Sequence, residues 1–213
     1  MSSSPTASPS PTASPSPTAT PATAAQLKKI VLRAADLPSW KAEPAEPASS
    51  DQAEVTTCVG AKNTEKGKVA TAHSDDYTLG NSLISSSASS YRSQSDVDSD
   101  VRLLKSPKLA PCYSKLFRQQ FLSALSKDAS LGPVSVKFTP GPGTGPANVA
   151  GSGSANATLT ANGQKVKLYL SFVYLSGPLL EAEIEAYNIN APVPAAVLQS
   201  AVKAVADRAA ATS

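Results

Sequence analysis

His73 is the only histidine in the chain, so an imidazole-based dyad or triad has to run through it, and Ser74, Asp75 and Asp76 follow it directly. Neighbours along an extended segment point to alternate faces, and the G-x-S-x-G turn that exposes a nucleophilic serine is absent. This spacing predicts a polar histidine on a strand surface, with a His73–serine hydrolase as the alternative. Asp96, Asp98 and Asp100 alternate like the opening of a calcium loop, but Val101 and Pro107 stand where the sixth-place Gly and twelfth-place Glu are needed. They are expected as acids at a helix start. Glu181, Glu183 and Glu185 recur at every second position, about 6–7 Å apart on a strand. A solvated outer face is expected for them, with a basic partner or a weak cation as the alternative. Gly141–Gly145 lacks the following Lys-Ser/Thr of a phosphate cradle, and Asn156-Ala-Thr is a glycosylation sequon only in a cell that modifies asparagine. Neither a cofactor nor a metal is expected, and the chain is expected not to be an enzyme.

Composition narrows the setting. Residues 1–26 are almost entirely Ser, Pro, Thr and Ala, with no charge and a recurring PTASPSP unit. Such a segment offers no apolar surface to offset ordering entropy, so it is expected to be a disordered, polyproline-like tether. About 185 residues remain, enough for one domain with its own core, expected over 27–213. The net charge of +3 arises from 19 scattered basic residues against 16 acidic ones. No basic patch with interleaved aromatics is present, so nucleic acid is not an expected partner. No run approaches the ~20 apolar residues that span a bilayer, and Met1 is followed by SSSP rather than a signal-like region. The arm nevertheless leads to the expectation of an extracytoplasmic domain tethered through a signal or membrane segment missing from this sequence. Cys58 and Cys112 cannot make a zinc site with one histidine. They form either a disulfide, in an oxidising compartment, or two buried thiols.

Hydrophobic periodicity supplies the elements. Leu27, Ile30, Val31 and Ala34 predict a short amphipathic helix over 27–35, ended by Pro38. After an extended segment at Trp40 and a turn or short helix around VTTCVGA, 68–79 and 81–93 read as two strands joined at Gly80-Asn81. A helix carries Val101, Leu103 and Leu104, and a longer one carries Leu109, Tyr113, Leu116, Phe117, Phe121, Ala124 and Leu125, with Cys112 near its start. VSVKF reads as a strand, and 139–156 as a long loop without regular structure. Three antiparallel strands are expected over 157–189, turning at Asn162-Gly163 and near Gly177-Pro178. To bring Leu168, Leu170, Phe172 and Tyr174 to the same core as Leu180, Ala182, Ile184 and Ala186, the last turn should hold three residues, Ser176–Pro178. A final helix over 192–210 presents Leu198, Val202, Val205 and Ala209 to the sheet. The fold class is α+β, a twisted antiparallel sheet covered by helices.

Together LRAADLPSW, the Cys58 and Cys112 pair, VKLYLSFVYLSGPLLEAEIEAYN and PVPAAVLQSAVKAVADRA resemble the secreted or membrane-tethered sensor-type domains of actinobacterial envelope proteins. That group includes mycobacterial lipoproteins and the extracellular domain of a mycobacterial receptor Ser/Thr kinase. The resemblance implies an α+β domain with a cleft between sheet and helices and no enzymatic role. A small molecule, lipid or cell-wall fragment is the expected ligand, with an envelope protein docked on a pocketless module as the alternative, and a monomer is expected. Candidate ligand contacts are Tyr174, Arg118 and Phe172, where apolar walls, a phenol and a guanidinium would suit an amphiphile with an acidic head.

Overall fold

A computed structural model describes residues 19–45, 52–125, 135–141, 145–146, 148–161 and 164–212. Among these, the helices are α1 (Ala24–Ile30), α2 (Gln52–Val59), α3 (Gln94–Leu104), α4 (Leu109–Leu125) and α5 (Ala195–Thr212). The strands are β1 (Lys41–Glu43), β2 (Lys68–His73), β3 (Asp76–Leu79), β4 (Ser82–Tyr91), β5 (Ser135–Gly141), β6 (Val149–Ala161), β7 (Gln164–Gly177) and β8 (Leu180–Ile189). They form one antiparallel sheet in the order β1-β3-β4-β8-β7-β6-β5, with β2 beside β3 on the same edge of β4. The α+β class expected from sequence is the class observed.

Side chains on a strand alternate between faces, and here both faces are covered. Val173 and Leu175 of β7 meet Ala182, Ile184 and Ala186 of β8 in a core capped by α1 and α5 through Leu27, Ile30, Val202 and Val205. Each fully buried Leu, Ile or Val of this layer contributes roughly 1.5–3 kcal/mol. On the opposite face, Leu170 and Phe172 pack with Phe138 of β5, Val55 and Val59 of α2, Leu103 of α3, and Leu109 and Cys112 of α4.

The β7–β8 turn corrects the expected register. It holds two residues, Pro178 and Leu179, so Gly177 pairs with Leu180, Tyr174 with Glu183 and Phe172 with Glu185. The even apolar row of β7 and the even apolar row of β8 therefore face opposite cores. Leu179 adopts φ 54°, a conformation that costs a side chain about 1–2 kcal/mol. It is held there because its N–H donates to Gln94 Oε1 at 3.0 Å and its carbonyl accepts from Tyr91 N at 2.9 Å.

Three other boundaries differ. The segment 68–79 is two strands, broken where buried Ser74 accepts from Ser86 N at 2.9 Å and donates to the Asp75 carbonyl at 2.7 Å. Residues 149–156, expected in a loop, belong to β6, because Gly151 and Gly153 make room for neighbouring side chains. A Cβ on Gly153 would lie 2.4 Å from Phe172 Cζ and 2.7 Å from Phe138 Cζ. Finally, α1 begins at Ala24, capped by a reciprocal Thr23–Gln26 pair, and the Ala22 carbonyl accepts from Ser90 Oγ at 2.7 Å. Folded structure thus reaches back past the 26/27 boundary drawn for the tether, while residues 1–18 of that arm lie outside the described residues.

Candidate functional site

Between the sheet and the layer of α2, α3 and α4 lies a cavity of about 310 Å³, at the small end of pockets for organic ligands, roughly 300–1,000 Å³. Its apolar wall combines Phe172 and Tyr174 of β7 with Leu103 and Leu104 of α3 and Leu109 and Tyr113 of α4. The rings touch: Phe172 stacks on Phe138 at 5.3 Å between centroids and meets Tyr174 edge-on at 5.5 Å, with Tyr113 5.6 Å from Phe172. The roof is tied together covalently, because Cys58 of α2 is bonded to Cys112 of α4. The disulfide alternative for these cysteines is the one observed.

The polar wall comes from two paired strands. Ser85, Ser87 and Ser89 of β4 stand directly opposite Glu185, Glu183 and Glu181 of β8, and all six line the cavity. The glutamate row expected on a solvated outer face therefore points inward, a direct consequence of the two-residue turn. Tyr91, fully buried, donates to Glu181 Oε2 at 2.7 Å, while Asp100 Oδ2 of α3 lies 3.2 Å from the same hydroxyl. Asp100 is thus not a helix-start acid, and it also accepts from Thr64 Oγ1 at 2.8 Å. Glu181 Oε1 is buried with no hydrogen-bond partner among the described residues.

Burial disfavours charge on these groups. It pushes the Glu181 carboxyl up to about 8, reinforced by the charge of Asp100 and a hydrogen bond to it and opposed by the Tyr91 hydrogen bond and the Lys68 charge. Glu183 is pushed well above the ordinary carboxylate range by burial and by the charge of Glu185, against the hydrogen bond from Tyr174. The Tyr174 hydroxyl is raised in turn by burial and by Glu183. Lys68, the cation on this wall, is paired with Glu65 Oε1 at 2.6 Å.

The three candidate ligand contacts part company. Phe172 and Tyr174 line the cavity side by side, whereas Arg118 sits on the exposed face of α4 and is not among the lining residues. The guanidinium expected to hold an acidic head is therefore absent from the lining, which carries the carboxyls of Glu181, Glu183 and Glu185. Leu116 and Phe117 pack onto the Phe172 layer, and the side chain of Phe121 lies outside those described. His73 is exposed at the end of β2, where it lines the cavity across from Ser87. Ser87 lies in an interior strand whose amides face ladder partners on both sides, so that hydroxyl has no free N–H pair beside it to form an oxyanion hole.

The inward set of Ser85, Ser87, Ser89, Tyr91, Asp100 and the glutamates escapes a reading strand by strand. Its signal is in the second half of β7, where Phe172, Val173, Tyr174 and Leu175 are apolar at odd and even positions alike, the mark of a strand buried on two faces. A paired strand with a polar row must then turn that row toward a covered side.

No protein-family model matches the chain, and no curated protein matches it. Among solved structures, it is similar to the extracellular domain of PknH from Mycobacterium tuberculosis, with 10% identity, a TM-score of 0.48, and coverage of 90% of this chain and 98% of that one. No described helix is long and apolar enough to cross a membrane.

Proposed function

We propose that this chain is a non-enzymatic, membrane-tethered, extracytoplasmic domain that binds a small molecule in the cavity between its sheet and the α2–α4 layer. The observation that carries the reading is the cavity itself: a sheet floor on which Phe172 and Tyr174 stand beside convergent hydroxyls and carboxyls, under the apolar side chains of α3 and α4, the usual composition of a small-molecule site. The Cys58–Cys112 bond supports an oxidising compartment, and the Ser/Pro/Thr-rich start suits a spacer from a surface. The hydrolase alternative has weaker support, because the serine next to His73 commits its hydroxyl to backbone partners.

A fragment library titrated against the protein, followed through the aromatic resonances of Tyr113, Phe172 and Tyr174, tests the reading. Saturable shifts are expected for some fragments and should vanish in Ser87→Trp, which fills the cavity from the sheet side. Fragments that shift none of these rings, or that bind Ser87→Trp equally well, would favour protein docking. Alkylation without reductant should label no thiol, and two labelled cysteines would remove the support for an oxidising compartment.

A further inference from the structure

We infer that the cavity selects an organic cation, a primary amine on an apolar, ring-sized body, with the ammonium held between the β8 glutamates and the β4 serines. The inference rests on the proposed use of the cavity as the binding site, and names the chemical class it takes.

Three independent features converge on it. Along the polar wall the groups other than Lys68 are acceptors of hydrogen bonds or can become so: Glu181, Glu183 and Glu185 face Ser89, Ser87 and Ser85 across the β4–β8 ladder. A primary ammonium has three donors and no acceptor, which matches such a wall. The second feature is an acid short of donors: Glu181 Oε1 is buried with no donor in reach among the described residues, and besides the Tyr91 hydroxyl the carboxyl's hydrogen-bond neighbour is another acid, Asp100, an arrangement that costs about 1–3 kcal/mol or more. A donor entering the cavity relieves it. The third is charge: Lys68 is paired with Glu65 at 2.6 Å and its charge only partly offsets the upward shifts of Glu181 and Glu183, and Arg118 lies outside the lining. Carboxyls pushed toward their neutral form by burial and by one another gain most from a cation brought in by the ligand.

Geometry separates an amine from the other candidates. The glutamates are strung along one strand rather than gathered on a point, and among the described residues no three acids, imidazoles or thiols converge as metal ligands do. A carboxylate or phosphate head would add like charge to the row. Phe172 and Tyr174 stand beside Glu185 and Glu183 on the same sheet face, and Tyr113 faces them from α4, so the ligand body meets ring faces and edges next to the carboxyls, and ring faces also attract an adjacent cation.

The test holds the ring constant and changes the head. Tryptamine, the neutral tryptophol and the anionic indole-3-acetate are titrated at pH 7.5, with phenethylamine and n-hexylamine as smaller amines, and Tyr174 and Phe172 resonances are followed. Saturable shifts are expected for the amines, with tryptophol and indole-3-acetate at least tenfold weaker than tryptamine. Glu183→Gln, which keeps shape but cannot ionise against the ammonium, should weaken tryptamine at least tenfold, and Arg118→Ala should not change it. Glu185→Gln serves the same purpose should Glu183→Gln not fold. Tryptophol or indole-3-acetate binding as tightly as tryptamine would overturn the amine and leave the cavity a binding site. Absence of saturable shifts from all three amines, or amine affinity unchanged in the Gln variants, would likewise overturn it, while the fragment titration judges the cavity separately.

Discussion

At the scale of single residues, the glutamate row ties stability to pH. Glu181 titrates near 8 in the folded chain, against an ordinary 4.5, because burial and the Asp100 charge outweigh the Tyr91 hydrogen bond and the charge of Lys68. Between those values the folded chain holds a proton that the unfolded chain has released. Its contribution is whole below about pH 4.5 and is lost as pH rises through about 8, at up to about 1.4 kcal/mol per pH unit. The Tm should therefore fall between pH 5 and pH 8.5, and Glu181→Gln, neutral throughout, should flatten the fall. A slope unaffected by the substitution would mean that Glu181 ionises as freely folded as unfolded. Gly153 makes a second claim. Alanine there would set its Cβ 2.4 Å from Phe172 Cζ and 2.7 Å from Phe138 Cζ, so the stacked rings must separate. Gly153→Ala should cost about 1–3 kcal/mol in urea unfolding, and a neutral result would mean that β6 yields without strain. The same residue explains why β6 is illegible in sequence. Gly-Ser-Gly-Ser carries turn composition and no apolar alternation, and only the distant Phe138 and Phe172 make its missing side chains useful.

Among the elements, α5 packs on the N-terminal segment and is also tied to it by the polar side chain of Arg208. Arg208 reaches Asp36 with two hydrogen bonds of 3.0 and 2.8 Å, and also donates to the carbonyls of Ile30 and Val31, both at 3.0 Å. Burial raises the Asp36 carboxyl, yet the Arg208 hydrogen bond, the Arg33 N–H and the two guanidinium charges outweigh it and hold the group below the ordinary range. Removing the guanidinium leaves a half-buried carboxylate and two unpaired carbonyls. Arg208→Ala should cost about 2–4 kcal/mol in the denaturant midpoint, and Arg208→Lys should recover little, because one ammonium cannot span the fork. Recovery by lysine would reduce the clamp to a simple charge. The helices themselves were legible: Leu109 to Leu116 and Val202 to Ala209 keep a 3.6-residue spacing whatever they pack against. The Gly80-Asn81 hairpin was legible for a similar local reason, since Leu79 pairs with Ser82 around a glycine at φ 60°. The β7–β8 register was not, because its turn depends on Leu179 held left-handed by Gln94 and Tyr91, contacts 85 residues away in the first case. With that register hidden, the alternation of Glu181, Glu183 and Glu185 reads as a solvent face, and nothing in β8 alone marks the polar half of the cavity.

For the molecule as a whole, one sheet separates two cores that differ in what holds them. The layer of α1 and α5 is closed by aliphatic packing against Ile84, Leu175 and Ile184 and by the Arg208 clamp. The layer of α2, α3 and α4 surrounds a cavity with buried carboxyls, and a disulfide with a sequence separation of 54 joins its outer helices. A cavity forfeits packing contacts and buried acids cost desolvation, so the second layer should be the less stable of the two, with the bond compensating where the packing is thin. On the chain-entropy model a loop of that length contributes about 4 kcal/mol. Replacing Cys58 and Cys112 by serine should therefore lower stability by a few kcal/mol and do so unevenly. Amide exchange should accelerate first in α2 and α4, while α5 and the β7–β8 ladder retain protection up to the global unfolding free energy. Saturable shifts at Tyr174, for any compound that gives them in the bonded protein, should weaken in parallel, because Tyr113 and Leu109 hang from the helix that the bond anchors. Equal loss of protection in α5 and α4 would make the two layers one cooperative unit, and would leave the disulfide a brace for the whole fold rather than for the roof over the cavity.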